Sequence, residues 1–418
     1  MPTNQNIIAG LDIGSGTMRI AVGQKLSDEM RRCHIIGVAE VPSGGISRGV
    51  VTSIDEAVSS ISTCLDKIER VIGNPIENVW VGISGNHIIS QDSKGVVAIA
   101  KPNGEIAEGD IERSVEAART VATPPNYEIL HVIPKSFTVD GQSGIRDPRG
   151  MTGIRLEVDT QIIQGLSSQI KNITKAIYRT GLEIEDLVLS ILGTSEAVLN
   201  SRQKQLGCVV INIGSSTTSM AVYEEGDVLH TSILPIGSEH ITSDIAIGLR
   251  ISIDLAEKVK LEFGDAISKE INKREEVNIG ELGGGDNYFV SKKYISEIIE
   301  ARVEEIFTRV DGELKKIDRS GSLPAGIVLT GGGAKLRGVV EAAKASLRLP
   351  ASMGFPIDIT STTDKVNDVT YSTAVGLVLW GMQIQAQKAH AMGGMFSKLK
   401  IETFSKKIKK FLKTFGGN

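Results

Sequence analysis

Short apolar runs separated by glycine, serine and threonine recur along the chain and predict an α/β fold. The runs at residues 7–9 and 209–210 each lead into a tight polar turn and then into a second run of alternating apolar residues. This pattern predicts strand, turn, strand in both places. A third run, residues 326–330, leads into three glycines and a helix from about Leu336. Residues 253–263 have helical periodicity.

The two strand–turn–strand segments are copies of one motif. Residues 11–22 align with residues 211–222 without a gap, and six of the twelve positions are identical. A lone turn of this kind is most often an ordinary β-hairpin. Two copies 200 residues apart instead predict two related α/β halves.

Both turns have the chemistry of a phosphate site. Backbone N–H groups in a Gly/Ser/Thr turn form a concavity that holds anions, and glycine allows the ligand to come close. Asp12, just before the first turn, would repel phosphate but suits a Mg²⁺ ion held through water. The predicted phosphate-binding residues are Gly14, Ser15, Gly16 and Thr17 in the first turn, and Gly214, Ser215, Ser216 and Thr217 in the second.

A third glycine cluster, Gly331, Gly332 and Gly333, follows a predicted buried strand. Ligands of open α/β sheets bind beyond the carboxyl ends of strands, so these glycines predict an adenosine site. No Gly-Lys-Ser/Thr follows them, which excludes a P-loop. Glu257 and Lys260 lie at i,i+3 on one helix face and suit the ribose and adenine, although spacing alone is equally compatible with a surface ion pair.

Composition narrows the choice of partners. The net charge is −4 and the isoelectric point is near 6.0, which gives no general attraction to nucleic acid.

Three widely spaced cysteines indicate reduced thiols. The N-terminus lacks the pattern of a signal peptide, and no apolar stretch reaches the ~20 residues of a spanning helix. The six histidines have no metal-ligand or catalytic-triad spacing.

The end of the chain has a different character. Residues 383–394 predict a polar linker, and the following apolar residues fall within a ~100° arc of a helix. Lysines occupy the rest of the circumference, which is typical of a helix lying in the plane of a membrane surface. The predicted membrane residues are Ile401, Phe404, Ile408, Phe411, Leu412 and Phe415, with Lys406, Lys407 and Lys410 toward the lipid headgroups.

The three motifs, in this order, resemble the actin, Hsp70 and sugar-kinase superfamily. Within it the chain is most similar to the FtsA family of bacterial cell-division proteins, over nearly its whole length. The resemblance is carried by residues 131–134 (HVIP), 139–142 (VDGQ) and 147–153 (DPRGMTG). Gly237, with residues 241–246 (ITSDIA), matches the start of the family's 2B subdomain and joins the predicted adenosine site.

The resemblance implies a two-lobed actin-like fold with duplicated cores, an inserted 1C subdomain and a C-terminal amphipathic helix. Within 2B it implies a loop at 280–286 and a long charged helix at 294–310. The implied boundaries are 1–82 with 166–205 for subdomain 1A, 83–165 for 1C, 206–234 with 314–383 for 2A, 235–313 for 2B, 384–399 for a linker and 400–415 for the membrane helix.

The resemblance also implies a function. FtsA proteins bind ATP and Mg²⁺, assemble into filaments, and tether the tubulin-like FtsZ to the cytoplasmic face of the membrane at the division site. Subdomain 2B receives the C-terminal tail peptide of FtsZ, and Arg302 looks like the arginine that contacts it. A surface ion pair with Glu305 is the plainer interpretation of Arg302. Downstream membrane proteins would bind through 1C.

One position departs from the superfamily. ATPases of this class commonly have aspartate in the second turn, where this chain has Asn212. An amide cannot supply the charge that orients hydrated Mg²⁺ and the attacking water. Glu196 is the remaining candidate for a water-positioning acid. We therefore expect ATP binding with slow hydrolysis.

Several other classes compete with this interpretation. A sugar kinase needs a catalytic acid and a hexose pocket, and an Hsp70 needs a second large domain. The pilus-assembly protein PilM shares the division-type insertion, but a basic amphipathic tail argues against it. A calmodulin-type target helix on a soluble enzyme would explain the tail alone.

Overall fold

The structure is a computed structural model that describes residues 7–25, 33–121, 124–283 and 285–393, with side chains up to residue 386. The predicted membrane helix at 400–415 lies outside the described residues. Among the helices of the described part, none combines the length and apolar character needed to cross a bilayer.

The strands fall into three main sheets and two small hairpins. In chain order they are β1 Ile7–Ile13, β2 Thr17–Lys25, β3 Cys33–Pro42, β4 Ile46–Ser47, β5 Val50–Val51, β6 Asn78–Ile83, β7 Ile88–Ala98, β8 Tyr127–Val139, β9 Gln142–Ile145, β10 Arg155–Leu166, β11 Glu183–Leu189, β12 Cys208–Ile213, β13 Thr218–Glu224, β14 Asp227–Leu234, β15 Glu276–Asn278, β16 Phe289–Ser291, β17 Gly326–Thr330, β18 Ala351–Met353 and β19 Ile359–Ser361.

The α-helices cover the sheets. They are α1 Ile54–Ile72, α2 Glu108–Val121, α3 Ser167–Tyr178, α4 Ser190–Val198, α5 Ser201–Leu206, α6 Ser238–Leu249, α7 Ile253–Phe263, α8 Gly280–Gly283, α9 Lys292–Lys316, α10 Val339–Leu347 and α11 Ser372–Gly393. Short 3-10 helices occur at Ser268–Glu270, Gly332–Lys335, Asp364–Asn367 and Val369–Tyr371.

Two of the sheets share one topology, as the repeat predicts. The first has the order β11-β6-β1-β2-β3-β19 and the second β14-β13-β12-β17-β18. In each, the repeated motif forms an antiparallel hairpin (β1–β2 or β12–β13) whose first strand also pairs in parallel with a later strand (β6 or β17). The apolar runs of both hairpins are buried, so each hairpin lies in the centre of its sheet.

The third sheet, β7-β10-β8-β9, is antiparallel and carries α2 on one face. It is inserted between β6 and α3 of the first lobe. Buried residues of β8, β10 and α2 give it a small core of its own, centred on Phe137, Leu156 and Ile111. This sheet lies where the resemblance implies the 1C subdomain.

The end of the described chain returns to the first lobe. Strand β19 pairs with β3, and α11 contributes Val375, Leu377 and Val378 to the core around β1 and β6. Residues 314–383 are predicted as part of the second core. The structure differs from that prediction, because β19 and the buried residues of α11 pack on the first core, while residues 368–372 between them also hydrogen-bond to Thr330 and Lys335 of the second lobe.

Other predicted elements match closely, with two differences. Helix α7 has the predicted bounds, and α9 extends the predicted 294–310 helix at both ends. The segment 280–286 contains one helical turn, α8, rather than only a loop. Residues 383–393 are helical, not a linker, because Gln383 hydrogen-bonds to Glu196 on α4 and Ile384 packs on the first core.

Candidate functional site

The two glycine-rich turns face each other across the gap between the lobes. A Cβ atom built on Gly16 would lie 3.0 Å from the Cβ of Ser215, which is closer than ordinary van der Waals contact. Gly14 and Gly214 occupy matching positions, and Gly214 N–H donates to the Thr217 carbonyl at 2.9 Å. The structure therefore brings the first and second predicted phosphate turns together.

The hydroxyl groups of the turns differ in their freedom to bind a ligand. Ser15 Oγ accepts the Gly49 N–H at 3.0 Å, so its own proton remains available for donation. Ser215 Oγ donates to Glu239 Oε2 at 3.1 Å. Ser216 is buried, whereas Thr17 and Thr217 are partly exposed. The Ser15 hydroxyl of the first turn can therefore donate to a ligand, whereas the Ser215 hydroxyl of the second turn already donates to a carboxylate.

The glycines of the predicted adenosine site surround the second turn. Gly237 lies against it so closely that a Cβ would collide with the Ser215 carbonyl oxygen. Gly331 has φ 87°, and a side chain there would strike Asn212 Oδ1. Gly333 packs on Ile213, but a Cβ on Gly332 would have open space around it. Gly332 is therefore the glycine of this group that borders free volume.

Glu257 and Lys260 are joined to this cluster by α6. Lys260 Nζ donates to Glu257 Oε2 at 2.6 Å and to Thr242 Oγ1 at 2.8 Å, and it lies 3.4 Å from the Ser238 carbonyl oxygen. Ser238 is the residue after Gly237. The pair is thus part of the site and is not an isolated surface ion pair.

Asp12 has the surroundings of a carboxylate that needs a cation. It is partly buried, and burial raises its pKa to about 6, with the Arg19 charge acting in the opposite direction. Within the described residues its carboxylate has no hydrogen-bond partner; Oδ1 lies 3.6 Å from a Cβ built on Gly82. A hydrated Mg²⁺ would favour the ionised form that burial disfavours. The described residues contain no cluster of three or more metal-ligating side chains, so the ion would depend on water and phosphate oxygens.

Asn212, at the position equivalent to Asp12, has a structural role. Its Nδ2 donates to Thr373 Oγ1 at 3.1 Å, and Thr373 in turn meets Thr194 Oγ1 at 2.9 Å. Gly331 closes over Oδ1. These contacts link β12 to α4 and α11 across the lobes.

Glu196 lies away from the turns. It accepts from Lys204 Nζ at 2.7 Å and from Gln383 Nε2 at 2.8 Å, and it lines a cavity of about 250 Å³ with Tyr223 and Trp380. Tyr223 pairs with Cys208, at the end of the β12–β13 hairpin opposite its turn. The structure does not bring Glu196 to the predicted phosphate site.

Arg302 lies on a second surface, between α6 and α9. It makes a two-pronged ion pair with Asp244, at 2.5 and 2.9 Å, and also pairs with Glu305. One helical turn from Asp244, the exposed side chains of Ile247, Tyr288 and Tyr294 surround the C-terminal end of α6. We call these three residues the α6–α9 patch. Arg302 and Tyr294 share a face of α9 at i,i+8.

The sequence pattern does not predict Glu239, Thr242 or Thr373 as residues of the site. Each contacts a predicted site residue through a hydrogen bond between distant parts of the chain. A glutamate two residues after Gly237, in the first turn of a helix, is the one signal that could have suggested Glu239. Nothing local distinguishes the two threonines.

The duplicated sheets with facing turns define a two-lobed α/β protein of the actin-like class. Two solved structures have this fold. One, titled "PilM-PilN type IV pilus biogenesis complex", is 17% identical and superposes with a TM-score of 0.65, covering 90% of this chain and 98% of that one. The other is MreB5 of Spiroplasma citri bound to ADP, 14% identical with a TM-score of 0.52, covering 93% of this chain and 99% of that one.

Sequence similarity identifies the family within this class. The model described as "Cell division protein FtsA" matches residues 209–376, and that for the "SHS2 domain inserted in FTSA" matches residues 85–164. The chain belongs to the FtsA family of cell-division proteins.

Curated members of the family are similar along most of their length. The FtsA of Pseudomonas aeruginosa is 36% identical, covering 91% of this chain and 90% of its own. The Bacillus subtilis protein is 39% identical, covering 90% and 83%, and the Escherichia coli K12 protein is 33% identical, covering 91% of each.

Proposed function

We propose that this chain binds ATP with Mg²⁺ between its lobes. The observation that supports this most directly is the contact between Gly16 and Ser215, which places two anion-holding turns around one space. Asp12 borders that space with a carboxylate that a cation would stabilise. Gly332 leaves room for the adenosine. The Glu257–Lys260 pair contacts Ser238, the residue after Gly237.

Hydrolysis should be slow. Asn212 carries no charge and its amide is held by Thr373, while Glu196 is held by Lys204 at the far end of the hairpin. Neither position therefore supplies an acid that is free to orient an attacking water, and phosphoryl transfer depends on such positioning.

Gly332→Val tests the nucleotide site. The new side chain would enter open space, so the fold should persist while the adenosine is excluded. We expect binding of a fluorescent ATP analogue to be lost with an unchanged melting temperature. Gly214 is a less suitable target, because a Cβ there would lie 3.0 Å from the Thr217 carbonyl oxygen and disturb the turn itself. Undiminished ATP affinity in Gly332→Val would exclude this site.

The second proposed activity is capture of the FtsZ tail peptide by Arg302 and the α6–α9 patch. Exposed aromatic and aliphatic groups beside an arginine suit a peptide with apolar side chains and a carboxylate. Ile247 is 77% exposed and Tyr294 is 44% exposed, and a group of exposed apolar side chains is typical of a surface that a partner covers.

The third is attachment to the membrane. The predicted helix at 400–415 supplies an apolar arc and a lysine-rich face, which suit an anionic phospholipid surface. A single such helix binds the membrane reversibly. In a filament many of these helices would bind the membrane together, and their combined binding would be stable. The chain would then tether FtsZ filaments to the cytoplasmic face of the membrane at the division site.

One further role follows from membership of the family. The inserted sheet, formed by β7, β8, β9 and β10, would bind downstream membrane proteins of the division machinery. We keep the predicted subdomain boundaries, except that residues 314–383 do not all belong to the second core. The fold similarity to PilM leaves a pilus platform as the alternative, but membership of the FtsA family favours division.

Vesicle sedimentation tests the tether. Vesicles containing anionic phospholipid should bring down the protein and, through it, a labelled FtsZ tail peptide. Phe411→Glu puts a charge in the apolar arc and should release the protein, whereas Thr403→Glu adds the same charge outside that arc and should bind. Arg302→Glu should sediment without the peptide, and Lys344→Glu on α10 should retain it. Sedimentation of Phe411→Glu at the parent's level would contradict the proposed anchor.

A further inference from the structure

Helix α6 contacts residues of both proposed sites. Its first residues touch the second phosphate turn, and Thr242 in its middle binds the Glu257–Lys260 pair. Its last two turns supply Asp244 and Ile247 beside Arg302. A helix of 12 residues is about 18 Å long, so α6 spans the distance between nucleotide and peptide.

The N-terminal end of α6 is fixed to the phosphate turn. Ser238 N–H donates to the Gly214 carbonyl and Glu239 N–H to the Ser215 carbonyl, both at 2.9 Å. Gly237 lies flat against the same two carbonyl groups. Because backbone joins backbone here, a displacement of the turn is transmitted to the helix.

Glu239 makes this end sensitive to phosphate. Its carboxylate accepts the hydroxyl proton of Ser215, which is the group that the phosphate turn would offer to a ligand. A phosphate in the turn competes for that proton and also repels the carboxylate through like charge. Nucleotide binding therefore favours a different position of Glu239, and of the helix turn that carries it.

The other end of α6 holds Arg302. The Nε and Nη2 atoms of its guanidinium both donate to the Asp244 carboxylate, and Nη1 donates to Glu305. A peptide carboxylate has to compete with Asp244 for the same donors. Movement of α6 away from α9 weakens the Asp244–Arg302 pair and frees the arginine.

We propose that α6 couples the nucleotide site to the α6–α9 patch, with Glu239 as the positioning residue, so that ATP strengthens peptide binding. This inference rests on the proposed function, since it assumes that both ligands bind where that proposal puts them. Coupling between sites is reciprocal, so the peptide strengthens ATP binding by the same factor.

The test measures the affinity of a synthetic FtsZ tail peptide for the full chain, with and without a saturating non-hydrolysable ATP analogue and Mg²⁺. We expect peptide binding to be at least about fivefold tighter with nucleotide, and nucleotide binding to gain the same factor from peptide. Glu239→Gln keeps a hydrogen-bond acceptor but removes the charge, and should reduce the factor below about twofold. Glu262→Gln, an exposed residue of α7 without a hydrogen bond or ion pair among the described residues, should retain the full factor.

Asp244→Asn examines the other end of the helix. Loss of the charge releases Arg302 from α6, so peptide binding should be tight without nucleotide and change little when nucleotide is added. If Asp244→Asn bound the peptide more weakly than the parent, both with and without nucleotide, the Asp244–Arg302 pair would not restrain the arginine.

The outcomes separate the coupling from the proposed function. Equal peptide affinity with and without nucleotide overturns the coupling and leaves the tether intact. Absence of peptide binding in both conditions, with normal nucleotide binding, overturns the peptide site itself. A variant that is merely destabilised lowers both affinities and preserves their ratio. If nucleotide strengthened peptide binding as much in Glu239→Gln as in the parent, Glu239 would therefore have no part in the coupling.

Discussion

Equivalent residues of the two repeats have acquired different surroundings. Asp12 pairs across its hairpin with Arg19, and Asn212 pairs with Ser219. The amide of Asn212 is used to join β12 to α11, whereas the Asp12 carboxylate stays without a hydrogen bond among the described residues. At the scale of single residues, the amide of the second repeat joins elements of the fold, whereas the carboxylate of the first repeat has no such contact among the described residues.

The raised pKa of Asp12 predicts that the free energy of unfolding falls as pH rises. As pH rises, the unfolded chain ionises Asp12 from its ordinary 3.8, and the folded chain ionises it only near 6. The unfolding free energy therefore falls across that window and stays reduced above it. Asp12→Asn should raise the unfolding free energy by about 1–3 kcal/mol at pH 7, with a much smaller effect at pH 4.

Urea titrations at several pH values measure this effect. Asp66→Asn, at an exposed position of α1, is the matched control and should change nothing. Saturating Mg²⁺ and ATP should stabilise the parent more than Asp12→Asn. A pH-independent gain in Asp12→Asn would show that burial of the charge is not its cause.

At the scale of elements, a polar seam joins the inserted sheet to the second lobe. Gln161 on β10 donates to His230 Nδ1 at 3.4 Å and accepts from Thr231 Oγ1 at 3.2 Å. Burial lowers the pKa of His230, so the ring is neutral and Nδ1 can accept while Nε2–H donates to Glu313. The inserted sheet is thereby connected through β14 to α9.

Gln161→Ala should break this seam. The side chain is buried, and its loss leaves His230 and Thr231 without their amide partner. A buried group deprived of its partner costs about 1–3 kcal/mol, so the unfolding free energy should fall by that amount. Gln142→Ala, at an exposed position of β9, serves as the control in the same urea titration. Equal stabilities of the two variants would mean that water replaces the amide.

The predictable elements are those specified by local pattern. Both hairpins and α7 follow from apolar runs and helical periodicity, and the glycine turns mark where ligands can come close. The end of α11 does not. Residues 383–393 contain three glutamines and end in glycine, which predicts a linker, whereas the helix is supported there by Glu196, almost 190 residues earlier. For the same reason Glu239 was missed: its role comes from contact with Ser215.

At the scale of the whole molecule, α4 and α11 cross where the two lobes meet. The crossing is so close that a Cβ on Gly376 would collide with the Gly193 carbonyl, and Thr194 contacts Thr373 beside it. Any change in the angle between the lobes has to be accommodated near this crossing.

Two helical glycines give opposite predictions. Gly376→Ala should lower the unfolding free energy by about 1–3 kcal/mol, because the added methyl group overpacks the crossing of α11 with α4 in the first core. Gly312→Ala on α9 meets nothing within 4 Å and should raise it by up to about 1 kcal/mol through helix propensity. Thermal melts of the two variants and the parent chain measure both effects. A stabilised Gly376→Ala would show that the crossing is loosely packed.

The return of α11 to the first lobe has a consequence for synthesis on the ribosome. Every buried residue of the second core lies between Val209 and Leu349, but the first core is completed by residues after 365. About 360 residues separate β1 from α11, which takes about 20–70 s at about 5–20 residues per second. The later half of the chain can thus finish folding before the earlier half.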